Sequence, residues 1–283
     1  MYRERAASGI AGAVLWESVS RGDAPTRVLP DGCLDLLWSS RAGLLVAGPD
    51  RTAHLSAGAP GECWVGLRLP PGVGPAVFGV PAHELRDRRV SLADLWGRPA
   101  GELADRIEEA SSAAEAGRFR PAGQPTPLAA PGHLRASVGR GRVGPSAQLG
   151  RVASPAGFDH VAPVAVVLEA VAVARLRAAG GPDPLGARVA ARLAAGATVA
   201  ATAAEVGLGA RALHRRSQAL FGYGPKTLAR IMRMRRALDL ARAGTPLAEV
   251  AARAGYADQA HLTREVKDLA GVPPTHLLPG HRV

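Results

Sequence analysis

Apolar residues follow two different rhythms along this 283-residue chain, and the change of rhythm divides it. Over residues 1 to about 98 the apolar stretches are short and punctuated by Pro and Gly, as in RVLP, CLDLLW, LLVAG and CWVGLRL. The alternation in Cys63-Trp64-Val65-Gly66-Leu67-Arg68-Leu69 suits a strand with one wetted face, because successive strand side chains point to opposite sides. Pro30-Asp31-Gly32 and Gly48-Pro49-Asp50 carry turn chemistry. Many short strands at close spacing predict a small barrel or sandwich. At Ser91 the rhythm changes. Ser91 stands before Leu92 as a helix cap, with Asp94 in the first turn, and a second helix is predicted over 102–116.

From about 117 to 163 the periodicity is lost, and Gly, Pro, Ser and Arg dominate. Such a composition predicts a flexible linker, with weak phosphate contact as the alternative use of its arginines. Helical periodicity returns at Val164. One helix runs to the Gly180-Gly181 pair, another starts at Asp183 before Pro184, and five more fit between Thr198 and Leu278. The expected fold class is therefore α+β and multidomain. It has a β-rich domain over 1–116, a linker over 117–163, and an all-α domain over 164–283.

The C-terminal helices repeat themselves. Thr198 caps a short helix with Val199, Ala203 and Val206 on one face, Gly207 allows a left-handed turn, and Leu208 plugs the junction. The following helix turns Leu213, Leu220 and Phe221 inward and leaves Arg211, His214, Arg215 and Gln218 outward, at spacings of three and four. The second unit begins at Thr245-Pro246, read as an N-cap with proline at the first helical position and with Glu249 near it. Val250 and Ala254 face inward, Gly255-Tyr256 turn, and a helix from about Asp258 to Ala270 buries Leu262, Val266 and Leu269. Gln259, Thr263 and Arg264 lie on its exposed side. These are two helix-turn-helix units, over about 198–221 and 246–270, offset by about 48 residues from Gly207 to Gly255. Between them a long helix from Pro225 to Ala243 keeps Leu228, Ile231, Met232, Met234, Leu238 and Leu240 for the core, and Arg230, Arg233, Arg235 and Arg236 are read as solvated or near phosphate. A rod of this kind would space two recognition helices about 34 Å apart, one turn of duplex.

Charge strengthens this picture. The chain holds 35 Lys and Arg against 24 Asp and Glu, a net +11, which favours polyanions; Arg-rich composition from a GC-rich genome is the competing account. From Glu205 onward thirteen basic residues face six acidic ones, so the surplus is concentrated where the repeated units lie. Cys33 and Cys63 have no CxxC spacing and are read as small buried residues of a reducing compartment. The N-terminus has no secretory pattern. The longest apolar run, Val161 to Ala174, is interrupted by Glu169 and falls short of a bilayer span. The expected location is cytoplasmic, at the nucleoid.

The stretch from Leu208 to Leu278 resembles the DNA-binding domain of AraC/XylS transcription regulators. The resemblance rests on Leu213 to Arg215, Gly222-Tyr223-Gly224-Pro225, Arg235 to Leu238, Val250-Ala251, Ala254-Gly255-Tyr256, Asp258 to Arg264, and Gly271-Val272-Pro273-Pro274. Ser217 departs from it, standing where the family usually has Phe, with Phe221 placed to fill part of that space. The resemblance implies a bacterial regulator whose base contacts are Arg211, His214 and Arg215 in the first unit and Gln259, Thr263 and Arg264 in the second. Side-chain chemistry agrees, since Arg pairs bidentately with guanine and Gln with adenine. Phosphate contacts are expected from Thr198, Arg216, Lys226, Arg230, Thr245 and Lys267. More weakly, Arg27 to Trp38, the AGPD turn and Val65 to Gly97 resemble a sensor domain of these regulators, taken as a cupin-like barrel.

Cupin metal binding needs clustered histidines, whereas His54 and His83 stand apart, so neither metal nor cofactor is expected. Asp31, Asp35 and Arg68 are candidates for a polar pocket, with turn and surface roles as the alternative. Catalytic residues are not expected either: HxH, GxSxG and P-loop patterns are missing. The function expected is sequence-specific regulation through double-stranded DNA, reading two adjacent major-groove segments. A small-molecule effector, RNA polymerase and a second copy of the chain are partners left open, and no membrane is expected. Two alternatives stand beside it: a non-specific architectural DNA binder, and a bifunctional protein with a catalytic N-terminal barrel.

Overall fold

The computed structural model describes residues 2–22, 25–115 and 162–278. Its strands are β1 (Tyr2–Ala6), β2 (Val14–Val19), β3 (Thr26–Val28), β4 (Leu34–Ser39), β5 (Gly43–Ala47), β6 (His54–Ser56), β7 (Cys63–Leu69) and β8 (Arg89–Ser91). Its helices are α1 (Gly74–Phe78), α2 (Leu92–Trp96), α3 (Arg98–Glu115), α4 (Ala162–Ala178), α5 (Pro184–Ala194), α6 (Val199–Glu205), α7 (Ala210–Phe221), α8 (Pro225–Arg242), α9 (Leu247–Ala254) and α10 (Gln259–Ala270). A 3-10 turn spans Ala82–Glu84 and another Pro274–Leu277. Most of the linker read over 117–163 lies outside the described residues, and α4 has already begun at Ala162.

Strand alternation decides what each side of the first domain does. Six antiparallel strands run in the order β1-β2-β7-β4-β5-β8, and β3 pairs with β6 as a separate ribbon. In register across the sheet, Leu15 pairs with Leu67, Leu67 with Leu36, and Leu36 with Val46. All four are fully buried and form one face of the first core. One residue along, the row Trp16, Gly66, Leu37 and Leu45 points the other way. That second face meets the β3–β6 ribbon across a cavity rather than across packed side chains. The β-rich domain expected from the pattern is thus present, as an open sheet closed over by a ribbon. The sequence reading had no strand at β1, β2, β6 or β8.

The covered face of the sheet is packed by α1, α2, α3 and α4. Ser91 caps α2 by accepting from the Ala93 N–H, as its position before Leu92 predicts. Trp96 donates its indole N–H to the Phe78 carbonyl at 3.2 Å. The larger difference from expectation is α4. Its spacing reads as the first helix of the C-terminal bundle, yet Val164, Ala165, Leu168, Ala172 and Leu176 complete the first core. Polar contacts hold it there. Glu169 accepts from the Ser8 and Gly9 N–H groups at 2.6 and 2.7 Å and from the Ser8 hydroxyl at 2.9 Å. Arg175 donates to the Val77 carbonyl at 2.7 Å and lies 4.0 Å over the Trp96 ring. Helical periodicity identifies a buried face but carries no information about which surface buries it.

The second core belongs to α5 through α10, with α8 at its centre: Leu228, Ile231, Met234, Ala237 and Leu238 recur every three or four residues and are buried. Glu169→Ala should lower stability by about 2 kcal/mol in urea unfolding, because two part-buried N–H groups lose their charged acceptor.

Candidate nucleic-acid interface and the cavity behind it

Each half of the C-terminal domain builds a short helix, a turn and an exposed helix. In the first, Thr198 caps α6 by accepting from the Ala201 N–H at 3.1 Å. Gly207 adopts φ 68, the left-handed geometry that the chain reversal requires. In the second, the turn is made by Gly255 at φ 80, and Asp258 caps α10 by accepting from the His261 N–H at 2.6 Å. The cap of α9 differs from the reading. Pro246, not Thr245, occupies the N-cap position, it supplies no side-chain bond, and Thr245 is half-buried. Ser217 is fully buried beside the buried Phe221, and its hydroxyl has no hydrogen-bond partner among the described residues. Serine at this position thus leaves one buried polar atom unpaired, which costs stability.

The six residues read as base contacts lie on α7 and α10. Arg211, His214, Arg215, Gln259 and Arg264 are exposed, and Thr263 is half-buried. Arg211, Arg215 and Arg264 make no ion pair among the described residues, nor do Lys226 and Lys267. His214 rests its ring over Gly224, where a Cβ would lie 2.6 Å from Cε1. Several other arginines of the helical domain are committed within the fold. Arg216 pairs with Asp183. Arg230 and Arg233 both bond the carboxylate of Glu265, Arg230 at 2.9 Å and Arg233 through three bonds of 2.7 to 2.9 Å. Arg233 also lies 4.5 Å over the Tyr256 ring, and Arg236 donates to the Ala194 and Ala254 carbonyls. Arg230, Arg233 and Arg236, read as solvated or near phosphate, thus have structural partners, because α8 is flanked by helix ends and a buried carboxylate.

Glu265 is the residue that sequence reasoning missed. It sits on α10 between Arg264 and Val266 and is 6% exposed. Burial alone would raise its pKa, but the Arg233 and Arg230 bonds outweigh burial and hold it below the usual glutamate range. The arginines at 230 and 233, one turn apart on α8, were the available signal.

Both exposed helices end against the first domain. The last carbonyls of a helix have no partner within it and carry its negative end. On α7, Arg86 donates to the Gly222 carbonyl at 3.0 Å. Gly222 itself has φ 82, and a Cβ there would lie 2.5 Å from Pro49. On α10, Arg27 donates to the Ala270 carbonyl at 2.8 Å and the Ala53 N–H to the Leu269 carbonyl at 2.7 Å.

Behind this contact lies the cavity between sheet and ribbon, with a volume of 580 Å³. Asp31, Asp35 and Arg68 do come together there. Arg68 Nε stands 3.4 Å from both carboxylates without a hydrogen bond. Burial pulls the Arg68 pKa down, and Asp35 and Asp31 more than offset that. Asp35 also accepts from Trp16 Nε1 at 2.9 Å, and its burial pushes its pKa up. Arg89 and Asp50 form a two-bond pair of 2.9 and 2.6 Å on the same wall. Burial, then Asp31 and Asp35, push the Cys33 thiol well up, which keeps it protonated and opposes a reactive-thiol role. Among the described residues no group of three or more His, Cys, Asp or Glu is placed to hold a metal ion, and no helix is long and apolar enough to cross a membrane.

Glu265→Ala should destabilise the second domain by about 2–3 kcal/mol in denaturant unfolding, since Arg230 and Arg233 lose a shared, buried partner. Because Glu265 titrates lower folded than unfolded, its contribution is full above the ordinary carboxylate range and is lost as pH falls through the folded value. The difference between wild type and variant should therefore shrink in acid.

Comparison with known proteins follows this geometry. Residues 202–279 match the helix-turn-helix domain family, and residues 13–91 match a domain of unknown function, DUF6597. No curated protein sequence matches the chain. A probable AraC family transcriptional regulator from Rhodopseudomonas palustris CGA009 is similar at 23% identity, covering 33% of this chain and 94% of its own, with a TM-score of 0.30. ToxT from Vibrio cholerae O395 is similar over 99% of both chains at 9% identity, with a TM-score of 0.45. Residues 202–279, which hold α7 to α10, are a helix-turn-helix domain by their match to that family, and the chain carries the DNA-binding module such a domain forms.

Proposed function

We propose that the protein is a sequence-specific transcription regulator that lays α7 and α10 into two adjacent major-groove segments and is controlled by a small molecule in the N-terminal cavity. The observation that carries the reading is the division among the basic residues. Four of the five arginines of α8, Arg230, Arg233, Arg236 and Arg242, are held by carbonyls and carboxylates, whereas Arg211, Arg215 and Arg264 on the two recognition helices are exposed and unpaired among the described residues. Arg211, His214 and Arg215 then read bases in one segment, and Gln259, Thr263 and Arg264 in the next. Lys226 and Lys267 meet phosphates as free cations. Thr198 keeps a hydroxyl proton to donate after its oxygen has accepted from Ala201. Thr245 reaches phosphate at the start of the second unit. Arg216 and Arg230 join only by leaving Asp183 and Glu265, which ranks them below the others.

The cavity suits a ligand of drug-like size. Its polar end holds a guanidinium between two carboxylates, so the complementary group both accepts and donates, as a hydroxyl or primary amide does. Trp16, Trp64 and Tyr2 line the space for its apolar body.

Selection of random duplexes by the full chain should enrich a bipartite site with two short blocks about one helical turn apart. Enrichment of nothing, with binding that fades evenly with salt, would favour the architectural alternative. On the selected site Arg264→Ala should weaken binding by about 1–3 kcal/mol and relax preference at one position. Lys267→Ala should weaken all sequences alike and lower the salt slope by about 1.

A further inference from the structure

The segment from Arg27 to Cys33 has a different neighbour on each side. Toward the sheet, Thr26, Val28, Asp31 and Cys33 line the cavity. Toward the helices, Arg27 bonds the last carbonyl of α10, and Leu29, which also borders the cavity, packs against the second core. Gly32, at φ 81, brings its backbone so close to α8 that a Cβ would lie 3.1 Å from both Leu228 and Met232. The reason is the period of two: Thr26 and Val28 share one side of β3, and Arg27 between them takes the other. The paired strand repeats the division, since Ser56 and His54 line the cavity opposite Thr26 and Val28 while Leu55, opposite Arg27, is exposed. Ala53, just ahead of β6, adds the second bond to α10.

We propose that this segment is the element that transmits cavity occupancy to the DNA-reading domain, by shifting the seat of α10 and of the start of α8. The inference rests on the reading of the cavity as a regulatory site. One thin layer of chain separates the occupied volume from both helices. A group pressing on Val28 moves the backbone that carries Arg27 and Leu29, and a two-strand ribbon joined to the sheet by no ladder of its own yields more readily than the six-stranded sheet opposite. The terminal carbonyls of α10 then lose their donors, and its last turn opens.

The test is hydrogen exchange of the full chain, read over residues 225–232 and 265–271, without DNA or ligand. Arg27→Met removes the bond to Ala270 and should speed exchange in the last turn of α10 by about three- to tenfold. Val28→Trp puts bulk into the cavity without touching Arg27, and should speed exchange in the same turn and at the start of α8. Ser56→Phe repeats this from β6, should the first variant fold poorly. Glu169→Ala loosens the first domain away from the cavity and should leave both regions at wild-type rates. Wild-type exchange in α10 and α8 for the folded Val28 and Ser56 variants would overturn the proposal. So would equal acceleration by Glu169→Ala, since the cause would then be a general loosening of the first domain. DNA affinity of the same variants is a separate readout. If exchange responds and affinity does not, the coupling stands and the regulatory reading of the cavity fails.

Discussion

A helix cannot satisfy its own last carbonyls, and in this protein that constraint joins the two domains. The helices that present Arg211, His214 and Arg215, and Gln259 and Arg264, both end in a left-handed glycine. At each glycine turn the open carbonyls find donors on the first domain: Arg86 for Gly222 at the end of α7, Arg27 and Ala53 for Ala270 and Leu269 at the end of α10. Two of these donors are guanidinium groups, which also suit the negative end of a helix. The orientation of α7 and α10 is therefore referred to the β-rich domain at two points, one on each helix.

The first domain bears this role because each of its elements has two sides. The six-stranded sheet gives one face to packing and the other to a cavity, and β3 repeats the arrangement with the cavity on one side and α10 on the other. The buried polar groups follow the same economy. Glu169 joins α4 to the loop after β1, and Glu265 joins α10 to α8; each is saturated by several donors. Arg68 is the contrast, held by two carboxylates at 3.4 Å but not hydrogen-bonded. A buried donor in that state is the kind of group that a ligand satisfies.

Much of the C-terminal half was legible because its signals are local. Thr198, Gly207 and Gly255 act on the residues next to them, and apolar spacing of three and four places Leu213, Leu220, Val250 and Leu262 in the core wherever the helices go. The short strands β1 and β6 were not legible, since Tyr2–Ala6 is mostly exposed and His54–Ser56 has three residues. Thr245 carried a valid capping signal that the neighbouring proline displaced by one position.

What the sequence by itself determined was the helix-turn-helix repeat, the outward faces of its second helices and the β-rich character of the first domain, because each depends on periodicity within one element. The tertiary structure decided the rest. It assigned α4 to the first core, separated the arginines tied to Glu265, Ala254 and Ala194 from those left free on α7 and α10, and brought Asp31, Asp35 and Arg68 around one cavity. Each of these is a choice of partner between residues far apart in the chain, and a side chain's own pattern specifies that it must be buried or paired but not against what.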